Sequence, residues 1–179
     1  MDSPRLLQGR SPRGAPAPLA DDLHTQMRMS TLVPRHILVP HDFSEMAQHA
    51  LSYAIELASK LGAIITIVHA YEVPSYGYPE GVTLSPEIAG SIRSAAETTL
   101  GGVVSAARAS GLEVHSALRQ GPAWSEIEAA AREVKADLIV MGTHGRHGLA
   151  RVLLGSVAEK VVRTSPCPVL TVRAPETAR

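Results

Sequence analysis

Short apolar runs alternate with helical patterns from Arg35 almost to the end of this 179-residue chain. Five of the runs have the length and composition of β-strands: HILVP, AIITIVHAY, LEVHSALR, ADLIVMG and PVLTVR. The four segments between them show the apolar spacing or the terminal glycine and proline signals of helices. Five strands alternating with four helices predict an α/β fold, with an open parallel sheet, right-handed crossovers and helices on both faces.

The two ends of the chain lack this pattern. Residues 1–34 are rich in Pro, Gly and Arg without periodicity, which predicts a disordered N-terminal tail. We therefore expect one folded domain over residues 35–174 and a short C-terminal tail over residues 175–179. Within the domain, residues 72–86 have the Pro, Gly and Tyr content of a long loop, and such loops are often functional.

Composition limits the partners of the chain. Its 17 basic and 17 acidic residues give a net charge of +0, so no overall field attracts nucleic acid or an anionic membrane. Aromatic residues make up only 3% of the chain, and no apolar run is long enough to span a bilayer. The single cysteine, Cys167, excludes an internal disulfide and suits a reducing compartment. We expect a soluble cytoplasmic protein that binds neither nucleic acid nor membrane.

Two segments are the first candidates for a ligand site. In open parallel sheets, ligands bind beyond the carboxyl ends of the strands, where the strand order reverses. The segments PHDFSE and GTHGRHGLARVLLGS follow the first and fourth predicted strands. Gly142 and Gly145 offer backbone that a phosphate or sugar approaches without meeting a Cβ atom. Gly155 and Ser156 open a helix whose first N–H groups have no partner within the helix and whose dipole favours an anion.

The glycine spacing matches neither of the two common nucleotide fingerprints. No Gly-Lys-Ser/Thr closes it, as in a P-loop, and Gly-x-Gly-x-x-Gly is missing. Instead, Gly142-x-x-Gly145 followed after nine residues by Gly155-Ser156 resembles the motif of the ATP-binding branch of the universal stress protein family. The resemblance extends from His36 to Arg173 and includes PHDFSE, IVHAY, DLIVMGTHGR and LLGSVAEKVVRTSPCPVLTV.

This resemblance implies a Rossmann-like sheet with strand order 3-2-1-4-5, an ATP site and a homodimer. Asp42 would contact the adenosine end of the nucleotide, and the backbone at Ala70 would meet the adenine. The glycines, with Ser156 and Val157, would surround the ribose and phosphates. The full ATP-binding set that it implies is Pro40, Asp42, Ala70, Met141, Gly142, His144, Gly145, Arg146, Gly155, Ser156 and Val157.

The resemblance also implies a nucleotide-dependent regulatory module in stress or dormancy response, with an unidentified protein partner and with Mg²⁺ or Mn²⁺ on the phosphates. A slow ATPase or a phosphoryl or nucleotidyl transferase on the same fold is the alternative. The chain has no Walker lysine and no convincing base, which favours binding over turnover. The last strand, PVLTVR, has no helix after it to cover its edge, which independently predicts a homodimer through that strand.

Several residues allow a second interpretation. Ser156 and Glu159 have the spacing of a capping box, and Asp42 and Glu45 have the same spacing, so each pair either begins a helix or leaves its first residue for a ligand.

Other polar residues of the candidate segments carry no firm role. His144 and His147 form H-x-x-H without further ligands nearby, so no metal site is expected. Arg146 and Arg151 are equally consistent with phosphate contacts and with solvent. His69 is expected to be a hydrogen-bonded core histidine, and Cys167 a packing residue.

Overall fold

The computed structural model describes residues 33–73, 85–143 and 154–173. Within these ranges the chain forms five strands and four helices in strict alternation. The strands are β1 (His36–Pro40), β2 (Ile64–Tyr71), β3 (Val114–Gln120), β4 (Leu138–Gly142) and β5 (Val169–Val172). The helices are α1 (Glu45–Leu61), α2 (Pro86–Arg108), α3 (Ala123–Glu133) and α4 (Ser156–Thr164).

The strands form one parallel sheet in the order β3-β2-β1-β4-β5, which confirms the predicted order. The chain builds the sheet outward from β1 in one direction and then returns to add β4 and β5 on the other side. The carboxyl ends of β1 and β4 therefore form the point at which the strand order reverses. Ile37 pairs with Leu138 and Leu38 with Ile139, so the two strands end at the same edge of the sheet.

Helices cover both faces of the sheet, as predicted. Alternate strand residues point to opposite faces, so Val39 packs in one apolar layer with α1 and α2, and Leu38 packs in the other with α3 and α4. Helix α1 presents four small buried residues to the sheet, which lets its backbone approach closely: Ala47, Ala50, Ala54 and Ala58.

Helix ends follow local signals with small offsets. Helix α2 begins with Pro86 after the cap Ser85, where a proline was expected in the first turn, and it ends at Arg108, slightly before Gly111. The last helix was expected from about Gly155 to Arg163 and spans Ser156–Thr164. None of the helices in the described ranges is long and apolar enough to cross a lipid bilayer.

Some predictions fall outside the described ranges. They concern the N-terminal tail up to residue 32, the central part of the loop at 72–86, the end of the chain beyond residue 173, and five residues of the glycine segment: His144, Gly145, Arg146, His147 and Arg151.

Candidate functional site

The turn between β1 and α1 holds Asp42. After Pro40 the chain reverses through a left-handed residue, Phe43, whose φ is 66°. A bulky side chain rarely adopts this conformation, so surrounding contacts must hold it. One of these contacts is local, because Oδ1 of Asp42 accepts hydrogen bonds from the N–H of Ser44 at 3.1 Å and from its hydroxyl at 2.6 Å. Asp42 therefore closes an Asx turn that leads into the helix.

Ser44, rather than Asp42, caps helix α1. The Ser44 hydroxyl accepts the N–H of Ala47 at 3.2 Å, in the geometry of an N-cap. The interpretation of Asp42 and Glu45 as a cap and its partner is therefore wrong. The carboxylate of Asp42 holds the turn two residues earlier, so the helix starts later than the spacing indicated.

His41 connects the same turn to the end of β2 through both of its backbone polar groups. The N–H of His41 donates to the carbonyl of Val68 at 2.8 Å. The carbonyl of His41 accepts a hydrogen bond of 2.7 Å from Nδ1 of the buried His69. The His69 ring also lies against the Phe43 ring, with 4.2 Å between centroids. The prediction of a hydrogen-bonded core histidine at position 69 is confirmed.

His41 is a buried polar residue that the sequence did not single out. Its Nδ1 accepts the N–H of Phe43 at 3.1 Å, so a neutral imidazole carries its proton on Nε2. That atom is buried and makes no hydrogen bond of standard geometry within the described residues. Burial lowers the pKa of His41, and the nearby Asp42 carboxylate and Gln48 side chain oppose this effect. The sequence feature that could have identified His41 is its position directly after an apolar strand.

Gly142 ends β4 under the first turn of α1. A Cβ atom at this position would lie 3.1 Å from the carbonyl oxygen of Met46 and 3.2 Å from its carbonyl carbon. These distances are closer than ordinary van der Waals contact, so a side chain would displace the helix. The space that the sequence assigned to a ligand is thus occupied in part by α1, and Gly142 has a packing reason of its own.

The two described ends of the glycine segment meet. The N–H of Gly155 donates to the carbonyl of Thr143 at 2.7 Å, and the N–H of Thr143 donates to Val172 at 3.0 Å. The start of α4 is thereby fixed beside the carboxyl ends of β4 and β5. Gly155 is the N-cap, and it has no side chain that could accept the first N–H groups of the helix. The first N–H groups of α4 have no acceptor within the helix, as at any helix start.

The predicted capping box at Ser156 is wrong. Ser156 is the first helical residue rather than the cap, and it is exposed. The bond to Thr143 holds Gly155 in extended backbone geometry with ψ of 157°, so the helix begins at Ser156, one residue earlier than the S-x-x-E pattern indicates. Oε1 of Glu159 instead lies 4.0 Å from a guanidinium nitrogen of Arg163, one turn further along the helix.

The other described residues of the predicted ATP-binding set lie on β1, β2, β4 and α4. Pro40 and Met141 are buried in β1 and β4, and Ala70 and Val157 are half-buried in β2 and α4. Of the predicted set, eight residues are described, all at or beside the carboxyl ends of β1, β2 and β4 or the start of α4: Pro40, Asp42, Ala70, Met141, Gly142, Gly155, Ser156 and Val157.

Two other features of the described residues are separate from this set. A cavity of about 360 Å³ lies beside the first turn of α1, and none of the eight described site residues lines it. Its lining among the described residues is His41, Phe43, Ser44, Glu45, Gln48, Thr99 and Val103. Cys167 is half-buried near Ser165, and burial raises the pKa of its thiol, which fits packing rather than an activated thiolate. Throughout the described ranges, no group of three or more His, Cys, Asp or Glu side chains is arranged to hold a metal.

Comparison with known proteins gives a consistent result. The model of the universal stress protein family matches residues 34–173. Universal stress protein MJ0531 of Methanocaldococcus jannaschii is 35% identical over 157 residues, which cover 86% of this chain and 91% of that protein. A universal stress protein from the QAH/OAS sulfhydrylase 3′ region of Thermus aquaticus is 41% identical over 143 residues, which cover 76% of this chain and 97% of that protein.

Solved structures share the fold. Hypothetical protein MJ0577 superposes with a TM-score of 0.69 at 26% identity, over 82% of this chain and all 100% of that chain. A universal stress protein in complex with cAMP gives a TM-score of 0.59 at 27% identity, over 80% and 99% of the two chains. The universal stress protein of Archaeoglobus fulgidus in complex with dAMP gives 0.54 at 28% identity, over 78% and 98%.

Proposed function

The chain belongs to the universal stress protein family, and from that premise we propose that it binds ATP and acts as a nucleotide-dependent regulatory module in stress or dormancy response. The site lies at the carboxyl ends of β1 and β4. The two structural neighbours in complex with cAMP and dAMP show that this fold accommodates adenine nucleotides.

One observation carries the proposal: the hydrogen bond between Gly155 and Thr143. It fixes the start of α4 beside β4, at the place where the strand order reverses. The helix start offers several N–H donors and the positive end of the helix dipole, and its cap residue, Gly155, has no side chain to occupy those donors. Ser156 is exposed there and does not serve as the cap. This arrangement suits the phosphates of a nucleotide.

The adenosine end would lie toward β1 and β2. Asp42 offers carboxylate oxygens to the ribose hydroxyls, and the turn around it is fixed by Ser44. The last bond between β1 and β2 runs from His41 to the carbonyl of Val68. Because residues two apart in a strand face the same neighbour, the backbone groups of Ala70 point to the side of β1 beyond the end of that strand. A backbone N–H and C=O in this place suit the edge of an adenine ring.

We propose that a divalent cation, Mg²⁺ or Mn²⁺, accompanies the nucleotide. The described residues offer no cluster of ligands for it, so the phosphates would supply the ligands and the ion would reduce their charge. The sequence also has no Walker lysine and no convincing base. These features support binding and regulation rather than phosphoryl transfer.

We also propose that the protein forms a homodimer and lies in the cytoplasm. Among the described strands the half-buried β5 pairs with β4 alone, and its other edge would pair with a second copy of the chain. A homodimer through β5, and an unidentified protein partner that senses the bound nucleotide, would couple the site to regulation. We place the protein in the cytoplasm, where adenine nucleotides are available and a free thiol such as that of Cys167 stays reduced.

Two measurements on the full-length protein test the proposed function. Mass spectrometry of nucleotide released on denaturation should identify ATP, and calorimetry of the emptied protein should show ATP binding. ATP at a hundred times its dissociation constant should stabilise the fold by about 2.7 kcal/mol. A protein that releases no nucleotide and shows no thermal shift with ATP contradicts the proposal. Turnover above about 1 per second would indicate an enzyme instead.

A further inference from the structure

His69 makes two different contacts with the β1–α1 turn. Its Nδ1 donates to the carbonyl of His41 at 2.7 Å, because a carbonyl oxygen only accepts. The face of its ring packs on Phe43 with the centroids 4.2 Å apart and the planes at 33°. His41 and Phe43 flank Asp42 in the sequence. One buried side chain therefore holds the residue before Asp42 and the residue after it.

The turn needs this support because its geometry is unfavourable. Phe43 has a positive φ of 66°, which is unfavourable for a bulky residue and persists only where surrounding contacts enforce it. The N–H of Phe43 is already committed to Nδ1 of His41. The ring contact with His69 adds the constraint that fixes the side chain of Phe43 against the layer of α1 and α2.

His69 reaches the turn from the face of the sheet that α1 and α2 cover, because it stacks on Phe43. Phe43 packs with the α1 and α2 layer, whereas Met141 and Val157, of the predicted nucleotide set, pack with the α3 and α4 layer. An imidazole bound to His41 and stacked on Phe43 is therefore placed to orient Asp42 through the residues on either side of it.

We infer that His69 is a positioning residue for the nucleotide site: it holds the His41 carbonyl and the Phe43 ring, and so fixes the direction of the Asp42 carboxylate. This inference rests on the proposed ATP site. The carbonyl of His41 requires an N–H donor at the Nδ1 position, which a buried apolar side chain would not supply.

Three substitutions at position 69 separate these requirements. The amide nitrogen of asparagine overlaps the Nδ1 position, whereas that of glutamine lies near Nε2. His69→Asn should retain ATP affinity within about threefold of the wild type, because the bond to His41 is kept. His69→Gln and His69→Leu should lower affinity by about tenfold, equivalent to about 1.4 kcal/mol. The asparagine and glutamine pair is matched in polarity, so it decides the question even where His69→Leu does not fold.

A control in the same strand tests for simple loss of stability. Thr66 is buried in β2, three residues before His69, and its hydroxyl lies 2.7 Å from Nε2 of His36, the first residue of β1. Thr66→Val should lower the thermal midpoint, as the loss of a buried hydrogen bond does, yet leave ATP affinity unchanged. A double-mutant cycle gives the second control, since His69→Gln should cause little further loss of affinity when Asp42 is already alanine.

A ligand-free readout keeps this inference separate from the proposed function. Amide exchange at Ser44 reports the bond of its N–H to Asp42, and it should accelerate in His69→Gln but not in His69→Asn. Equal affinity and equal exchange in the asparagine and glutamine variants would overturn the positioning role. A wild-type protein without ATP affinity would contradict the proposed function, and exchange at Ser44 would then still decide whether His69 holds the turn.

Discussion

The hydroxyl of Ser44 lies 2.6 Å from Oδ1 of Asp42 and donates to it, while its oxygen accepts the N–H of Ala47 at 3.2 Å. One hydroxyl therefore begins helix α1 and orients the carboxylate next to it. The two contacts link the stability of the helix start to the geometry of the proposed site.

This link predicts opposite results for two serines. Ser44→Ala should lower the free energy of unfolding by about 0.5–2 kcal/mol, the usual loss for an N-cap. Ser156→Ala should change it by no more than about 0.5 kcal/mol, because Gly155 is the cap of α4, but it should weaken ATP binding. Denaturant unfolding and calorimetry measure the two effects. Equal destabilisation by both substitutions would restore the capping role of Ser156.

Asp42 should contribute differently to folding and to binding. Asp42→Asn keeps an Oδ1 acceptor for Ser44, so the free energy of unfolding should stay close to that of the wild type. Asp42→Ala loses this acceptor and should cost about 1 kcal/mol. Affinity for ATP should fall severalfold in the asparagine variant, which lacks the charge, and by about tenfold or more in the alanine variant. Unchanged affinity in a folded Asp42→Ala protein would remove Asp42 from the site.

Gly142 should resist substitution even without a ligand. A Cβ atom would lie 3.1 Å from the carbonyl oxygen of Met46, so Gly142→Ala should cost about 1–3 kcal/mol through overpacking. The matched control is Gly102→Ala in α2, where an added Cβ meets no atom within 4 Å. That change should stabilise the protein by about 0.5–1 kcal/mol, since alanine favours a helix over glycine. A neutral Gly142→Ala would show that α1 moves freely away from β4.

Protonation of His36 should lower the stability of the fold at acidic pH. Burial lowers the pKa of His36 below its usual value, and the charge of His115 acts in the same direction, whereas Asp137, the Val134 carbonyl and Glu113 oppose it. The unfolded chain therefore binds a proton more readily than the folded chain. The stabilisation is fully present above about pH 6.5 and is lost as the pH falls through the lowered folded pKa.

Unfolding free energies between pH 5 and pH 8 check this expectation. His36→Gln should make the curve less steep in the acidic range, by less than about 1.4 kcal/mol per pH unit for one histidine. His41 has a pKa lowered by burial too, so part of the slope should remain. A curve that is identical with and without His36 would contradict the prediction.

The edge of β5 offers a direct test of the proposed dimer. Bonds from Ile139 to Pro168 and from Thr143 to Val172 show which alternate residues of β5 face β4. By that alternation the N–H of Thr171 points away from β4, toward the open edge. Thr171→Pro removes this donor where an edge strand tolerates proline, so it should yield a folded monomer in light scattering. A monomeric wild-type protein at micromolar concentration would contradict the dimer.

The strands and the faces of the helices were predictable from the sequence. Apolar runs such as HILVP and ADLIVMG are buried on both faces, so their composition alone indicates a parallel sheet covered by helices. The spacing of alanine and leucine in α1 likewise identified the side of that helix that meets the sheet. Burial of periodically spaced apolar residues determines where these elements form, and this spacing can be read directly from the sequence.

Helix starts were less predictable, because several residues compete for the same N–H groups. The patterns at Asp42 and Ser156 both satisfied the spacing of a cap. Other contacts decide which residue caps each helix. Asp42 accepts the N–H of Ser44, and the N–H of Gly155 donates to the carbonyl of Thr143. Such competition depends on backbone geometry that tertiary packing sets, and spacing does not encode it.

What the sequence determined by itself was the order of strands and helices, the edge of the sheet where a ligand would bind, and the residue types that gather there. Only the tertiary structure decided what each of these residues contacts. Met46 approaches Gly142, and His69 reaches across from β2 to the turn that carries Asp42. These partners come from elements distant in sequence, and their close contacts depend on how helices and strands pack rather than on local periodicity.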